Sequence, residues 1–292
     1  MEKNIVKDVL IHATKLLQNA GIDSARLDAE LVLMHVWGVS RTDLFMRAYD
    51  VIPVSILTAF DSLLARRMKR EPLAHLTGIK EFWSRDFIIS ADVLIPRPET
   101  EHLIEEVLLR FPLPLEKYFF ADMGTGSGCI AITLACEYPK SEIYAIDISA
   151  KALLVARKNA EKYGVQDRVH FICSDLFSGL MADGRLRLDA LISNPPYVTL
   201  DEMASLAPEL TFEPSHALTD GGDGLRFFRQ MLALLPCYLK PKGYALFETG
   251  PCGLPSGQVD SAMVYISPFA DLAGHTRGGI YQYRPSTSIY QL

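Results

Sequence analysis

Residues 117–147, KYFFADMGTGSGCIAITLACEYPKSEIYAID, decide how the chain is read. KYFFADM has the apolar, aromatic character of a strand, GTGSG is a tight loop, CIAITLACEY has a helical pattern, and EIYAIDI is a second strand. A strand, a glycine loop, a helix and another strand make one unit of a parallel sheet. Glycines at 124, 126 and 128 let the backbone turn sharply and approach a ligand, and the helix that follows favours negative groups at its start. Gly124, Thr125, Gly126, Ser127 and Gly128 are therefore candidate cofactor-binding residues. Such a loop also occurs as a plain turn, and this one lacks the GxGxxG spacing preferred for dinucleotides. Asp147 closes the next strand about 20 residues on, where an acid can accept both hydroxyls of a ribose. It could instead cap the helix SAKALLVARKNA, although Ser149 is the better claimant. Together the loop and the acid imply a nucleoside-containing cofactor without saying which.

The same alternation continues downstream. AKALLVARKNAEKYG reads as a helix, RVHFICSD and LDALISN as strands, GGDGLRFFRQMLALLPCYL as a helix after a glycine-rich loop, and GYALFETG as another strand. This order predicts an α/β, doubly wound, mostly parallel Rossmann-like sheet with helices on both faces. Upstream the period changes. VLIHATKLLQNAGI, SARLDAELVLMHVWGV and SILTAFDSLLARRMKR are amphipathic segments with short breaks, which predicts a small all-helical domain over 1–78. EFWSRDFIIS alternates and reads as a hairpin from Phe82 to Ile89, within a linker over 79–98. IPRPETEHLIEEVLLR then starts a helix at Pro98, with Glu99 and Glu101 in its first turn, and opens a second domain over 99–292.

The bulk properties bound the function. A chain of 292 residues suits two domains, and 49% hydrophobic with 22% charged residues is ordinary for a globular protein. No run of about 18 apolar residues occurs, so no membrane span is expected. The start MEKNIVKDVL carries charges where a signal peptide needs an apolar stretch, which makes cytoplasmic the expected location. The five cysteines are scattered and form no CxxC pair or Cys/His cluster, so neither a metal site nor a disulfide framework is indicated. Cys129 and Cys136 read as small core residues. The net charge of −6 lacks the basic excess of a duplex-gripping protein, and no stable direct nucleic-acid binding is expected.

Asn194-Pro195-Pro196-Tyr197 ends the strand LDALIS, at the edge where doubly wound sheets bind ligands. The prolines fix φ and remove two N–H donors, leaving the Pro195 carbonyl as an acceptor. Asn194 Oδ1 and that carbonyl can both accept from one NH₂ group, which aligns the nitrogen lone pair with a methyl donor and stabilises the charge developing on nitrogen. Tyr197 offers a flat wall for a planar group. The plain alternative is a rigid turn with a capping Asn. Asn194, Pro195, Pro196 and Tyr197 are the candidate catalytic and substrate-binding residues, and S-adenosyl-L-methionine is the cofactor this reading implies. Asp175 could hydrogen-bond an adenine amino group with Leu176 and Phe177 flanking the ring, or could simply end a turn. Glu248 reads as a strand-end acid, and the run from Arg66 to Arg70 as a solvated helix face. His35 and His102 fall in helical patterns and read as structural.

These residues, in this order, resemble the protein-(glutamine-N5) methyltransferases of translation release factors, the HemK/PrmC family. The resemblance runs through PLAHLTGIKEFWSRDF, VLIPRPETE, ADMGTGSGCIAI, AIDIS, the KNAEKYGV helix end, SDLF, SNPPYV, GGDGLRFF and DLAGHTRG. NPPY is shared with amino-methylating DNA enzymes, whereas the LTG…EFW and IPRPETE stretches are far more specific. The resemblance implies a class I methyltransferase fold and, as substrate, the glutamine in the GGQ loop of peptide chain release factors. It implies cofactor contacts from Gly124–Gly128, Asp147, the position of Leu176, and Asn194, with Asn194–Tyr197 holding the substrate amide. The helical domain would recognise the protein substrate. The family often has Trp where this chain has Leu176, and GIYQYRPSTSIYQL replaces the familiar hydrophobic ending. Three alternatives stand beside this reading. A DNA adenine-N6 or cytosine-N4 methyltransferase needs the same trap for a flipped base, with a basic cleft not evident here. A non-catalytic release-factor-binding protein would have no need of Asn194, Asp147 and the glycine loop. A nicotinamide oxidoreductase is disfavoured by the glycine spacing and leaves NPPY unexplained.

Overall fold

The computed structural model describes residues 4–180, 186–250, 253–254, 258–260, 262–271 and 273–285. The chain divides into two compact units, Met1–Ile79 with Ala207–Phe212, and Lys80–Leu206 with Glu213–Leu292.

The first unit is helical: α1 (Val6–Asn19), α2 (Ala25–Trp37), α3 (Arg41–Met46), α4 (Val54–Met68) and α5 (Leu73–Thr77). Val6, Leu10, Ala13 and Leu17 recur on one face of α1 and are buried against Leu33, Phe60 and Leu64. Gly38, in the left-handed region, ends α2. A capping box between Ser40 and Asp43 starts α3, a helix the sequence pattern did not reveal. The basic run is not simply a solvated face. Arg67 is buried and donates from Nε to Asp28 Oδ2 at 2.7 Å and from Nη1 to Glu209 Oε1 at 3.2 Å. Arg70 donates from Nη2 to Glu209 Oε2 at 2.9 Å. Glu209 thus fastens the late segment Ala207–Phe212 into the helical unit, a return of the chain that no local pattern announces.

The second unit begins with a two-stranded hairpin, β1 (Ile79–Phe82) and β2 (Arg85–Ile88). Its first strand starts three residues before the expected Phe82, because Trp83 and Ser84 form the turn, both at positive φ. Two central residues at positive φ suit the twist of a tight hairpin. A 3₁₀ turn at Pro98–Thr100 leads into α6 (Glu101–Arg110). There follow β3 (Phe119–Met123), α7 (Cys129–Glu137), β4 (Glu142–Asp147), α8 (Ala150–Lys162), β5 (Val169–Cys173), β6 (Leu188–Ser193), short α9 (Leu200–Met203) and α10 (Ser215–Leu218), α11 (Arg226–Leu234), β7 (Leu239–Glu248), β8 (Gln258–Asp260), β9 (Met263–Ala270) and β10 (Thr276–Tyr283).

These strands make one sheet in the order β5-β4-β3-β6-β7-β10-β9-β8. The five strands from β5 to β7 are parallel, and β10 enters antiparallel between β7 and β9. Both faces of β3 and β6 are buried, as expected for strands covered by helices on each side. β9 and the bounds of β10 are not evident in the sequence, because Ser267-Pro268 and Gly278-Gly279 are poor strand formers. After β3 the chain adds β4 and β5 on one side, then crosses to place β6 on the other. That reversal opens a crevice at the carboxyl ends of β3 and β6.

Candidate functional site

The carboxyl ends of β3, β4, β5 and β6 deliver Gly124, Asp147, Asp175 and Asn194 to one cavity of about 280 Å³. Gly126, Leu176, Pro195 and Pro196 line it as well. The remaining residues of the glycine loop act one step behind. Thr125 donates from Oγ1 to Asp122 Oδ2 at 2.6 Å, and the Gly124 and Thr125 amides both donate to the Ile146 carbonyl. Gly128 combines φ +82 with close packing, since a Cβ there would lie 2.7 Å from Ile132 Cδ1 and 3.0 Å from Ala156 Cβ. Thr125, Ser127 and Gly128 therefore shape the loop, and Gly124 and Gly126 face the cavity.

Asp147 holds the loop and faces the cavity together. Oδ2 accepts from Gly126 N at 2.9 Å and Oδ1 from Ser149 N at 2.8 Å. Each carboxylate oxygen keeps further acceptor capacity for a hydroxyl. Burial pushes its carboxyl above the ordinary range, against the pull of the Ser149 and Gly126 amides. The helix-capping role falls to Ser149, whose Oγ accepts from Ala152 N.

Leu176 and Phe177 separate. Leu176, at φ +47, lines the cavity. Phe177 is turned into the core and stacks on Tyr238 with ring centroids 4.6 Å apart, so it does not flank a ligand there. Its apolarity made it look like a second ring wall, but the same apolarity draws it to the core.

Several residues that sequence reasoning passed over complete the cavity. Asp92, Val93 and Leu94 come from the segment before Pro98, and His216, Thr219, Arg226 and Phe227 from the segment around the second glycine-rich loop. Asp220 organises that loop, with Oδ1 accepting from Gly222 N and Gly224 N and Oδ2 from Arg226 N. Burial opposes its charge, yet those three amides hold its carboxyl below the ordinary range. Asn159, fully buried in α8, joins the first glycine loop to the hairpin, donating from Nδ2 to Ser127 O and Ile88 O and accepting at Oδ1 from Ile88 N. Its only sequence signal is a polar residue on an otherwise apolar helix face.

Around NPPY the surroundings are polar and buried. Among the described residues no peptide bond is cis. Ser193 Oγ donates to Met123 O at 2.7 Å and ties the end of β6 to that of β3. Asn194 Nδ2 donates to Thr100 Oγ1 at 3.0 Å, which leaves Oδ1 as the acceptor end of that amide. The Tyr197 hydroxyl donates to Glu248 Oε1 at 3.3 Å, and the Tyr197 ring packs on Gly250, where a Cβ would lie 3.1 Å from Tyr197 Cδ2. Glu248 is thus more than a strand-end acid. Burial pushes its carboxyl up to about 7, against hydrogen bonds from Thr100 and Tyr197 that favour the charged form. Burial and the neighbouring Glu248 push the Tyr197 hydroxyl up, which keeps it a donor.

A parallel sheet of this strand order, with a reversed strand set between its last parallel strand and the edge, and with a glycine loop and strand-end acid beneath its crevice, defines a class I methyltransferase. Residues 8–78 match the PrmC N-terminal domain and residues 103–232 the methyltransferase small domain. The release factor glutamine methyltransferase of Cereibacter sphaeroides is 39% identical over 274 residues, spanning 92% of this chain and 95% of that protein. The protein of the same description from Nitratidesulfovibrio vulgaris is 40% identical over 246 residues, spanning 84% of this chain and 82% of that one. This chain belongs to the release factor glutamine methyltransferase family.

Proposed function

We propose that the chain transfers a methyl group from S-adenosyl-L-methionine to the side-chain amide nitrogen of the glutamine in the GGQ motif of peptide chain release factors. The observation that carries this reading is Asn194 at the lip of the cofactor cavity, its amide nitrogen engaged by Thr100 and its oxygen thereby set to accept. The cavity residues fit the cofactor by their chemistry. Gly124 and Gly126 allow close approach of a nucleoside, Asp147 has acceptor capacity for ribose hydroxyls, Asp175 can accept from an adenine amino group, and Leu176 offers an apolar surface. When bound, the cofactor supplies an electrophilic methyl group.

The residues of the chain have to solve a nucleophile problem. An amide nitrogen is a poor nucleophile because its lone pair is delocalised into the carbonyl. Asn194 Oδ1 and the Pro195 carbonyl would hold both hydrogens of the substrate NH₂, which orients the nitrogen and offsets the positive charge that grows on it. Tyr197 would lie along the planar amide, held by Glu248. Water takes the proton afterwards. The helical unit, which matches the PrmC N-terminal domain, would select the release factor, because the reacting loop is too small to specify one partner.

A single incubation tests the reading. Protein, labelled S-adenosylmethionine and release factor should place label in the release factor, and a release factor with Gln of GGQ replaced by Ala should take none. Label in duplex DNA instead, or in the Ala-substituted release factor, would overturn the substrate assignment.

A further inference from the structure

Thr100 ends the 3₁₀ turn and is the N-cap residue of α6, where a threonine side chain ordinarily accepts from a backbone amide. It makes no such cap. Its buried hydroxyl instead accepts from Asn194 Nδ2 at 3.0 Å, 94 residues away in sequence, and it favours the charged form of the Glu248 carboxyl. Glu248, itself buried, also accepts from Tyr197 at 3.3 Å. One chain of polar contacts therefore links Asn194 and Tyr197 through two residues that do not line the cofactor cavity.

We propose that Thr100 and Glu248 are positioning residues that set the direction of this chain and thereby hold the Asn194 amide oxygen toward the substrate nitrogen. The inference deepens the amide-trap reading and rests on it. A side-chain amide is nearly symmetric in shape, so packing alone does not distinguish Oδ1 from Nδ2. A hydroxyl has one hydrogen. If Thr100 gives that hydrogen to Glu248, it can meet Asn194 only as an acceptor, and Asn194 must present Nδ2 to it. The polarity of the chain thus starts at Glu248, which accepts from Tyr197 and whose charged form the Thr100 hydroxyl favours. A turn that needed only a rigid shape would have no use for a buried acid. This one carries a cost, because Glu248 Oε2 is buried without a hydrogen-bond partner among the described residues.

Thr100→Val keeps the shape and removes the acceptor, whereas Thr100→Ser keeps the hydroxyl. Glu248→Gln keeps the shape and introduces a donor that lets the chain run backward. The full-length variants are assayed with release factor for kcat, and by calorimetry for S-adenosylmethionine Kd. Thr100→Val and Glu248→Gln should lower kcat roughly 10–100-fold, the scale of a misplaced reacting group, while the cofactor Kd stays within about twofold. Thr100→Ser should recover most of the loss. Adding Thr100→Val to Asn194→Ala should cost nothing further, since the group being oriented is gone. Wild-type kcat in folded Thr100→Val overturns the inference, as does a loss in Thr100→Ser as large as in Thr100→Val, or a loss that adds to that of Asn194→Ala. If Asn194→Ala alone keeps wild-type kcat, the amide trap itself is wrong and the inference falls with it.

Discussion

The two sides of the crevice are built by different means. On the cofactor side the chain uses backbone and one local stretch. Gly124, Gly126 and Asp147 lie within one strand–loop–helix–strand unit, and the Asp147 carboxyl closes on Gly126 N and Ser149 N, both near in sequence. On the substrate side it uses side chains gathered from three places, Thr100, Asn194–Tyr197 and Glu248. A backbone-built pocket tolerates a change of side chain behind the loop but not a change of φ. A side-chain network is the reverse, because loss of one polar atom leaves its partner without a bond in a buried setting. Variants on the two sides should therefore fail in different observables.

The largest effect is expected from Asn194→Ala. It removes an acceptor at the reacting nitrogen and leaves Asp147 and the glycine loop untouched. Turnover on release factor should fall about 10²–10³-fold. Calorimetric affinity for S-adenosylmethionine should change far less. A near wild-type kcat in the folded variant would reduce NPPY to a turn and erase the contrast between the two sides.

Gly128→Ala probes the backbone side, and its readout is stability. The residue sits at φ +82 and an added Cβ would meet Ile132 Cδ1 at 2.7 Å. Strain at a left-handed position and overpacking each cost about 1–3 kcal/mol. Thermal unfolding should show the variant destabilised by that order. An unchanged midpoint would mean that the α7 and α8 contact yields more easily than the packing implies. Asp147→Ala is expected to weaken S-adenosylmethionine binding roughly tenfold, because a charged acceptor for hydroxyls is lost. Unchanged affinity would remove the ribose role and leave Asp147 as a loop anchor only.

The contrast also explains what could be read from the amino acids. The order of the sheet strands and of α7, α8 and α11 from Lys117 to Glu248 follows from periodicity, short α9 and α10 excepted, and the glycine loop with Asp147 is a local motif whose members lie 19 to 23 residues apart at most. Local spacing carries that much. It does not carry Thr100, which looks like an ordinary helix start, or Glu248, which looks like a strand-end acid, since each acquires its role only when α6, β6 and β7 come together. Phe177 shows the same limit from the other side: being next to Leu176 in sequence did not put it in the cavity. The late segment Ala207–Phe212 joins the helical unit through Glu209, a long-range ion pair that no pattern of apolar residues records.

The smallest effect expected is a slope with pH, and it arises beneath the glycine loop. Asp122 is fully buried, accepting at Oδ2 from Thr125 Oγ1 and Ala131 N, while Oδ1 is buried without a hydrogen-bond partner among the described residues. Burial pushes its carboxyl from the ordinary 3.8 up to about 7, against those two hydrogen bonds. The folded state therefore binds this proton more tightly than the unfolded state. Stability from that proton is fully present below about pH 4 and is lost as pH rises to about 7, with no further loss above. The slope from one group cannot exceed about 1.4 kcal/mol per pH unit. Asp122→Asn keeps an acceptor for Thr125 and Ala131 but has no proton to lose. Urea unfolding of both proteins between pH 5 and pH 8 should then show the wild type losing stability more steeply than the variant over the lower part of that window. The variant keeps some slope, because Glu248 titrates in the same range. Equal slopes in the two proteins would mean that Asp122 stays charged in the fold, stabilised by the loop amides more strongly than its burial opposes it.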